Sequence, residues 1–355
     1  MKLVTFEIAT AGGRLRRLGA LADGSENGRV VDLTASFAKY LAAETDESTP
    51  RELAAIRTPP DMIGWLRAGK HGKAAAEKAL AYAIARPDAE GLDGERLVHA
   101  RKDVRLLAPM PRPTSFRDFS TYEEHMTRAK KVAVDAGKGG HGKNEQWYKT
   151  PPYCKGSCAA IRGPEDTVPW PHYTEMLDLE LEIGIVVGKE GKNLTPEQAR
   201  DHIAGYTILV DSSCRDGYGR EPFGPAKRKD FHTAIGPCLV TADSIDPENL
   251  KVSIAVDGEV WFEGTTAAPH SFTPADIVAY ASDSESIYPG DLLGTGTVSF
   301  CCSMDLHKWI KLGQTATFTV ENIGAMNLKV VKGDDVVRHV EGMKGLLRYP
   351  GGSAS

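Results

Sequence analysis

Residues 177–188 read LDLELEIGIVVG, and the way those positions alternate decides the fold. Leu177, Leu179, Leu181, Ile183, Ile185 and Val187 fall on one face of an extended chain, while Asp178, Glu180 and Glu182 fall on the other. Side chains two apart on a strand project the same way, with Cα atoms roughly 6.5–7 Å apart. Carboxylates stacked that closely repel one another unless a cation neutralises them or one keeps its proton. A solvated acidic face on an edge strand is the plainer alternative. The stretch is long and apolar, however, and it runs on into Val186, Val187 and Gly188, so it reads as a central strand.

Downstream, Thr195-Pro196-Glu197-Gln198 is a helix start, with Thr195 as N-cap, Pro196 in the first turn and Gln198 closing a capping box. That helix should end near Gly205. Tyr206 to Val210 reads as a buried strand that ends at Asp211, placing an acid at the rim of a sheet. Val256-Asp257-Gly258-Glu259-Val260 is a hairpin turn. Thr273-Pro274 opens another capped helix, and Thr295–Ser299 and Thr315–Val320 read as strands. Upstream, prolines 109, 111 and 113 break the chain and suggest a boundary. The expected division is an N-terminal β-rich domain with helices over 1–105 and a catalytic domain over 106–350. In the first part, LVTFEIA and GRVVDLT read as strands and residues 61–86 as a helix. The fold class is α+β, mainly β.

Composition excludes several roles. The 43 lysines and arginines against 48 acids leave a net charge of −5, the wrong sign for a nucleic-acid binder. The basic cluster at Arg128, Lys130 and Lys131 reads as a solvated helix face. No stretch reaches the ~18 apolar residues of a membrane span, and the N-terminus lacks the pattern of a signal peptide. The six cysteines show no CxxC and no zinc spacing. Reduced thiols in a cytoplasmic protein are the simplest reading.

Chemistry concentrates in a few segments. Glu180, Glu182 and Asp211 make an all-oxygen ligand set, which suits Mg2+, Mn2+ or Ca2+ better than zinc or copper. SFRDFSTYEEHMTRAKK carries Asp118 and, on the first turn of a helix, His125. GPAKRKDFHTAIGPC places Lys229 in a loop rimmed by glycine and proline, and DLLGTGTVS places Thr297 among glycines.

In order, these segments resemble the fumarylacetoacetate hydrolase family from about residue 104 to 330. The resemblance rests on Asp118…His125, Glu180-x-Glu182, Asp211…Arg215-Asp216, Gly224 to Phe231, Gly290 to Thr297, and Glu321-Asn322-Ile323-Gly324. Asp118 and the sizeable N-terminal region make the chain look more like the long members than the short ones. The resemblance implies a fumarylacetoacetase-like mixed β-sandwich roll with a small N-terminal β-rich domain. It implies one divalent cation held by Asp118, Glu180, Glu182 and Asp211, with His125 as general base and Arg215 and Lys229 binding an oxyanion. Tyr153, Tyr218 and Thr297 would contact substrate, and the protein would be a homodimer with no nucleic-acid or membrane partner.

The implied activity is hydrolysis of a C–C bond in a fumarylacetoacetate-like or acylpyruvate-like diketo acid, as in aromatic catabolism. It would proceed through a metal-bound enolate leaving group and water activated by His125. A metal-dependent decarboxylase, hydratase or isomerase of a keto acid on the same site is the alternative. Two positions depart from the family. Tyr218 stands where a glutamine is usual. The acid that supports the histidine in short members falls at Arg128, leaving Glu123, Glu124 or Asp305 to take its place. Residues 135–150 read as a glycine-rich flap over the site.

Overall fold

The computed structural model describes residues 1–24, 28–135, 144–217 and 226–334. Before residue 105 lie β1 (Lys2–Thr10), β2 (Gly13–Leu21), β3 (Val30–Asp32), α1 (Leu33–Glu44), α2 (Pro50–Arg57), α3 (Met62–Ala85) and β4 (Val98–His99). Next come β5 (Arg105–Leu107), β6 (Phe116–Phe119), α4 (Glu123–Asp135), β7 (Tyr153–Lys155), β8 (Ile161–Arg162) and β9 (Val168–Trp170). The central strands are β10 (Leu177–Val187), β11 (Ile203–Cys214) and β12 (Thr233–Thr241), with α5 (Pro196–Arg200) and α6 (Ala226–Lys229) between them. The chain continues through β13 (Lys251–Val256), β14 (Glu259–Thr265), α7 (Pro274–Ala281), β15 (Leu292–Gly294), α8 (Ser303–Leu306), β16 (Thr315–Val320) and β17 (Gly324–Lys332).

The strands form two sheets. The larger runs β4-β3-β2-β1-β12-β11-β10-β15-β6-β7, with β5 on β1 and β8 on β12; the smaller runs β14-β13-β16-β17-β9. This is the expected α+β, mainly β fold. β10 is central, and its two faces do different things. Leu177, Leu179, Leu181, Ile183 and Ile185 pack into a core shared with Ile254, Phe318 and Leu328 of the smaller sheet. Each such buried side chain contributes about 1.5–3 kcal/mol. On the other face Val186 joins a second core with Leu209, Leu239, Leu292, Trp65 and Ala76, under α1 and α3. That face begins with Asp178, Glu180 and Glu182 and turns apolar only at Val186, so the acids and the N-terminal helices share one side of the sheet.

Several local readings hold. Thr195 and Thr273 cap α5 and α7 with reciprocal capping boxes. Asp257 and Gly258 turn between β13 and β14 with φ of 50° and 84°, the left-handed geometry of a two-residue hairpin turn. Other readings change. The α5 helix ends at Arg200, not near Gly205. Asp211 lies inside β11, because Ser212, Ser213 and Cys214 continue the pairing opposite Leu179, Asp178 and Leu177. Thr295–Ser299 is not a strand: Thr295 and Val298 instead donate to backbone carbonyls of β10, and the segment folds back across that strand. The first residues are woven into the large sheet, with Lys2 and Leu3 of β1 opposite Val240 and Leu239 of β12. Among the described residues no helix is long and apolar enough to cross a membrane.

Gly205, at the bulge where β11 meets β12, permits this pairing: a Cβ there would lie 2.0 Å from the Val240 carbonyl oxygen. Because the obstacle is backbone, Gly205→Ala should destabilise the fold by about 1–3 kcal/mol or more. A urea midpoint equal to that of the parent chain would contradict this account of the sheet.

Candidate active site

Four carboxylates converge because three neighbouring strands and one spacer present them on one face. Glu180 on β10 lies directly opposite Asp211 on β11. β15 separates β10 from β6, and its Gly294 pairs with both Gly184 and Asp118. A side chain at 294 would collide with the acids, since a Cβ there would sit 2.5 Å from Glu182 Oε2 and 3.2 Å from Asp118 Oδ1. None of the four acids is more than 4% exposed.

Two cations and several donors offset this charge. Lys229 Nζ, at the end of α6, donates to Asp118 Oδ2 at 2.9 Å, to Glu180 Oε2 at 3.3 Å and to Asp211 Oδ2. Arg215, following β11, donates through Nε to Asp178 Oδ2 at 2.8 Å and through a terminal nitrogen to Glu180 Oε1. The Ser213 hydroxyl donates to Glu180 at 2.7 Å, the Thr297 hydroxyl to Glu180 at 2.9 Å, and the Gly296 N–H to Glu182 at 3.0 Å. Cys154, opposite Asp118 on β7, points its thiol at Asp118 Oδ2 at 3.6 Å.

The acids respond unequally. Burial favours the neutral form of each, but Arg215, Lys229 and His125 hold Glu180 well below the usual carboxylate range. Glu182 lacks such a partner, and burial followed by the charges of Asp118 and Asp211 pushes it well above that range. Asp211 also rises, through burial and the neighbouring acids, despite Lys229. Burial opposes the Lys229 ammonium, but Asp118, Asp211 and Glu180 together raise it well above its ordinary value.

His125 stands at the edge of this cluster, on the first turn of α4. Its Nδ1 lies 3.1 and 3.2 Å from the two oxygens of Asp305 on α8. With the carboxylate accepting there, Nδ1 carries a proton, and in the neutral ring Nε2 keeps its lone pair. Nε2 stands 3.5 Å from Glu180 Oε1. Burial works against the imidazolium, but the Asp305 charge and hydrogen bond, aided by Glu180, raise the ring above its usual range. A divalent cation among the acids would act in the opposite direction.

Asp305 is therefore the acid that supports His125, and the surroundings fix it. The Phe300 N–H donates to Asp305 Oδ2 at 3.1 Å from a left-handed backbone with φ of 66°, which is uncommon for a bulky residue. Arg128 donates to the Asp305 carbonyl at 3.2 Å and lies 4.4 Å over the Phe300 ring. Arg128 is thus no solvated face residue; only Lys130 and Lys131 of that cluster are exposed.

Among the described residues, the groups whose ligand atoms all lie within 4.8 Å of one another are His125, Cys302 and Asp305, and Asp178, Glu180 and Cys302; the four acids, spread around Lys229, are not among them. The donors of those two groups are already engaged. Asp178 accepts from Arg215 and from the N–H groups of Ser303 and Met304, and Asp305 faces His125. The four-acid set fits a hard cation better: its donors are all oxygen, and Asp118 Oδ1 is buried with no hydrogen-bond partner.

The structure brings together Asp118, Glu180, Glu182, Asp211, His125, Arg215, Lys229 and Thr297. Tyr153 it does not, because alternation along β7 puts Cys154 beside Asp118 and turns Tyr153 toward Phe119, ring centroids 4.9 Å apart. Tyr218, Gly224 and residues 136–143 of the expected flap lie outside the described residues. Sequence reasoning missed Asp178 as an anchor, Ser213 and Cys154. Ser213, two residues beyond Asp211, and Asp178, two before Glu180, carried a period-two signal that could have found them.

Residues 114–331 match the family described as fumarylacetoacetate (FAA) hydrolase, C-terminal. The chain belongs to the fumarylacetoacetate hydrolase family. The human mitochondrial oxaloacetate tautomerase FAHD2A is 30% identical over 283 residues, which cover 77% of this chain and 80% of that relative. The manganese(II) and pyruvate complex of maleylpyruvate hydrolase from Sphingobium sp. SYK-6 matches 94% of this chain and 100% of its own, with TM-score 0.64 and 22% identity. A 2-hydroxyhepta-2,4-diene-1,7-dioate isomerase from Mycobacterium marinum matches over the same shares with TM-score 0.61 and 22% identity. At that identity the two structures speak for the family fold alone.

Removing Asp178 would take from the buried Arg215 guanidinium one of its two carboxylates and leave the Ser303 and Met304 N–H groups without their acceptor. Asp178→Ala should therefore lose about 3–5 kcal/mol of stability, read from chemical denaturation. A loss under 1 kcal/mol would show that Asp178 does not anchor Arg215 and α8.

Proposed function

We propose that this chain is a metal-dependent enzyme of 2-oxo acids, which hydrolyses a C–C bond in a fumarylacetoacetate-like or acylpyruvate-like diketo acid. The observation that carries the reading is the buried His125–Asp305 pair, its Nε2 turned toward the carboxylate cluster with Arg215 and Lys229 alongside. Asp118, Glu180, Glu182 and Asp211 would hold one divalent cation, Mg2+, Mn2+ or Ca2+. When bound, it supplies Lewis-acid stabilisation of negative charge on the oxygens of a keto acid. Asp305 orients His125, whose Nε2 takes a proton from water as that water adds to the carbonyl to be cleaved. Arg215 and Lys229 donate to the oxyanion that forms. The C–C bond then breaks with its electron pair leaving as the enolate, and the imidazolium returns its proton to the enolate carbon.

A second reading, keto–enol tautomerisation of an oxaloacetate-like acid, is favoured by the 30% identity to an oxaloacetate tautomerase. It needs the same base but no water attack. Under either reading Thr297 lies next to the substrate. We place Tyr218 there also, on the family resemblance alone, and assign Tyr153 no contact. We further propose a homodimer whose catalytic unit begins after residue 105, a division supported by the family match starting at 114. The six cysteines are free, which supports a reducing compartment such as the cytoplasm.

Glu182 gives a metal test. A carboxyl raised on folding takes up a proton, so its contribution to stability falls as pH climbs above the unfolded value near 4.5. Glu182→Gln removes that penalty. Without added cation it should be at least as stable as the parent at pH 7, yet gain no melting temperature from Mg2+ or Mn2+ that stabilises the parent. Equal calorimetric affinity for the cation in both would remove Glu182 from the ligand set.

His125→Ala should keep cation binding and lose turnover by at least about 100-fold; undiminished turnover would take His125 out of the mechanism. The reaction itself is decided by a panel of acylpyruvates, fumarylacetoacetate, fumarylpyruvate and oxaloacetate, each with and without cation. Release of pyruvate or acetoacetate from the diketo acids marks hydrolysis. Enol–keto conversion of oxaloacetate with no cleavage of any diketo acid would replace it with the tautomerase reading.

A further inference from the structure

A cavity of about 820 Å3 opens where α3 crosses the ends of β10, β11 and β12 that lie away from the carboxylates. Its wall includes Gly188 just past β10, Ile203 at the start of β11 and Thr241 at the end of β12. The same three strands carry Glu182, Asp211 and Thr233 at the catalytic end. At about 3.3 Å per residue, the six residues from Glu182 to Gly188 separate the two places by roughly 20 Å. The volume is within the roughly 300–1,000 Å3 usual for small-molecule sites.

The wall has a definite chemistry. Arg67, Lys70, Lys189 and Arg200 line it, and none has an ion-pair partner among the described residues. A fifth cation, Lys73, is committed to Asp243 at 2.6 Å. Against the four uncommitted cations stand only two carboxylates, Glu190 and Asp201. The surplus is two positive charges. Beside these lies Trp65, buried and in the same wall. The helix α3 also breaks here: Gly69 has φ 55° and ψ −137°, and the helix restarts at Lys70. A restarted helix turns the positive end of its dipole toward the break.

We propose that this cavity is a second ligand site, taking a small organic dianion, a phosphomonoester or a dicarboxylate, on a flat apolar body. The charge surplus matches two negative charges. Trp65 and its neighbour Leu66 form the apolar part of the wall. Nothing in this assignment depends on the reaction at the carboxylates.

Calorimetric titration of the full, cation-loaded chain with phenyl phosphate, phthalate and inorganic phosphate tests it. One molecule per chain of phenyl phosphate or phthalate should bind saturably, and the tighter of the two identifies the anionic group. The double variant Lys70→Glu with Lys189→Glu alters two exposed side chains and should keep its denaturation midpoint. Its affinity should fall at least tenfold, whereas His125→Ala should bind as the parent does. No saturable binding of either aromatic anion, or undiminished affinity in the double variant, overturns the site. Binding that weakens only in His125→Ala overturns it too, by moving the ligand to the carboxylate cluster. Inorganic phosphate binding as tightly as phenyl phosphate overturns the organic character of the ligand.

Discussion

Four carboxylates share one water-poor face of the large sheet, and their mutual repulsion governs what surrounds them. At the separations set by strand geometry, buried like charges do not stay ionised together without compensation. The chain answers with an ammonium at Lys229, a guanidinium at Arg215, hydroxyls at Ser213 and Thr297, and one backbone N–H at Gly296. The answer is uneven. Glu180 is well supported and driven low, while Glu182 is left high. That imbalance is what a hard cation would relieve, and it places the site's unmet electrostatic demand between Glu182 and the unpartnered oxygen of Asp118.

The rest of the architecture makes such a face tolerable. Since β10 alternates, the strand bearing the acids also inserts an unbroken leucine and isoleucine row between the sheets. The apolar row fixes the register, because a slip by one residue would drive the acids into the core and expose the leucines. Packing on one side thus holds the chemistry on the other to a single geometry. Gly294 adds the spacing that lets β6 bring Asp118 within reach.

Much of this was legible in residue order. The alternation at 177–187, the two capping boxes and the hairpin at Asp257-Gly258 are local signals, and each appears where its chemistry requires. Four acids, the histidine, both cations and Thr297 also meet as the family resemblance implied. What escaped was set by tertiary contact. The choice among Glu123, Glu124 and Asp305 depends on how α8 docks on α4, which no local pattern encodes. Arg128 looks solvated in sequence and is recruited to Phe300 and Asp305 only in three dimensions. Tyr153 faces Phe119 rather than the acids because of strand phase on β7, which residue order leaves open.

The partners of the histidine pair lie 180 residues apart in the chain. Synthesis delivers His125 long before Asp305 exists. A chain cut short before Asp305 would carry Asp118, Glu180, Glu182 and Asp211 and lack the partner of its histidine. On the proposed reading, an oriented base thus depends on a residue near the far end of the described chain, and the acids alone do not complete the site.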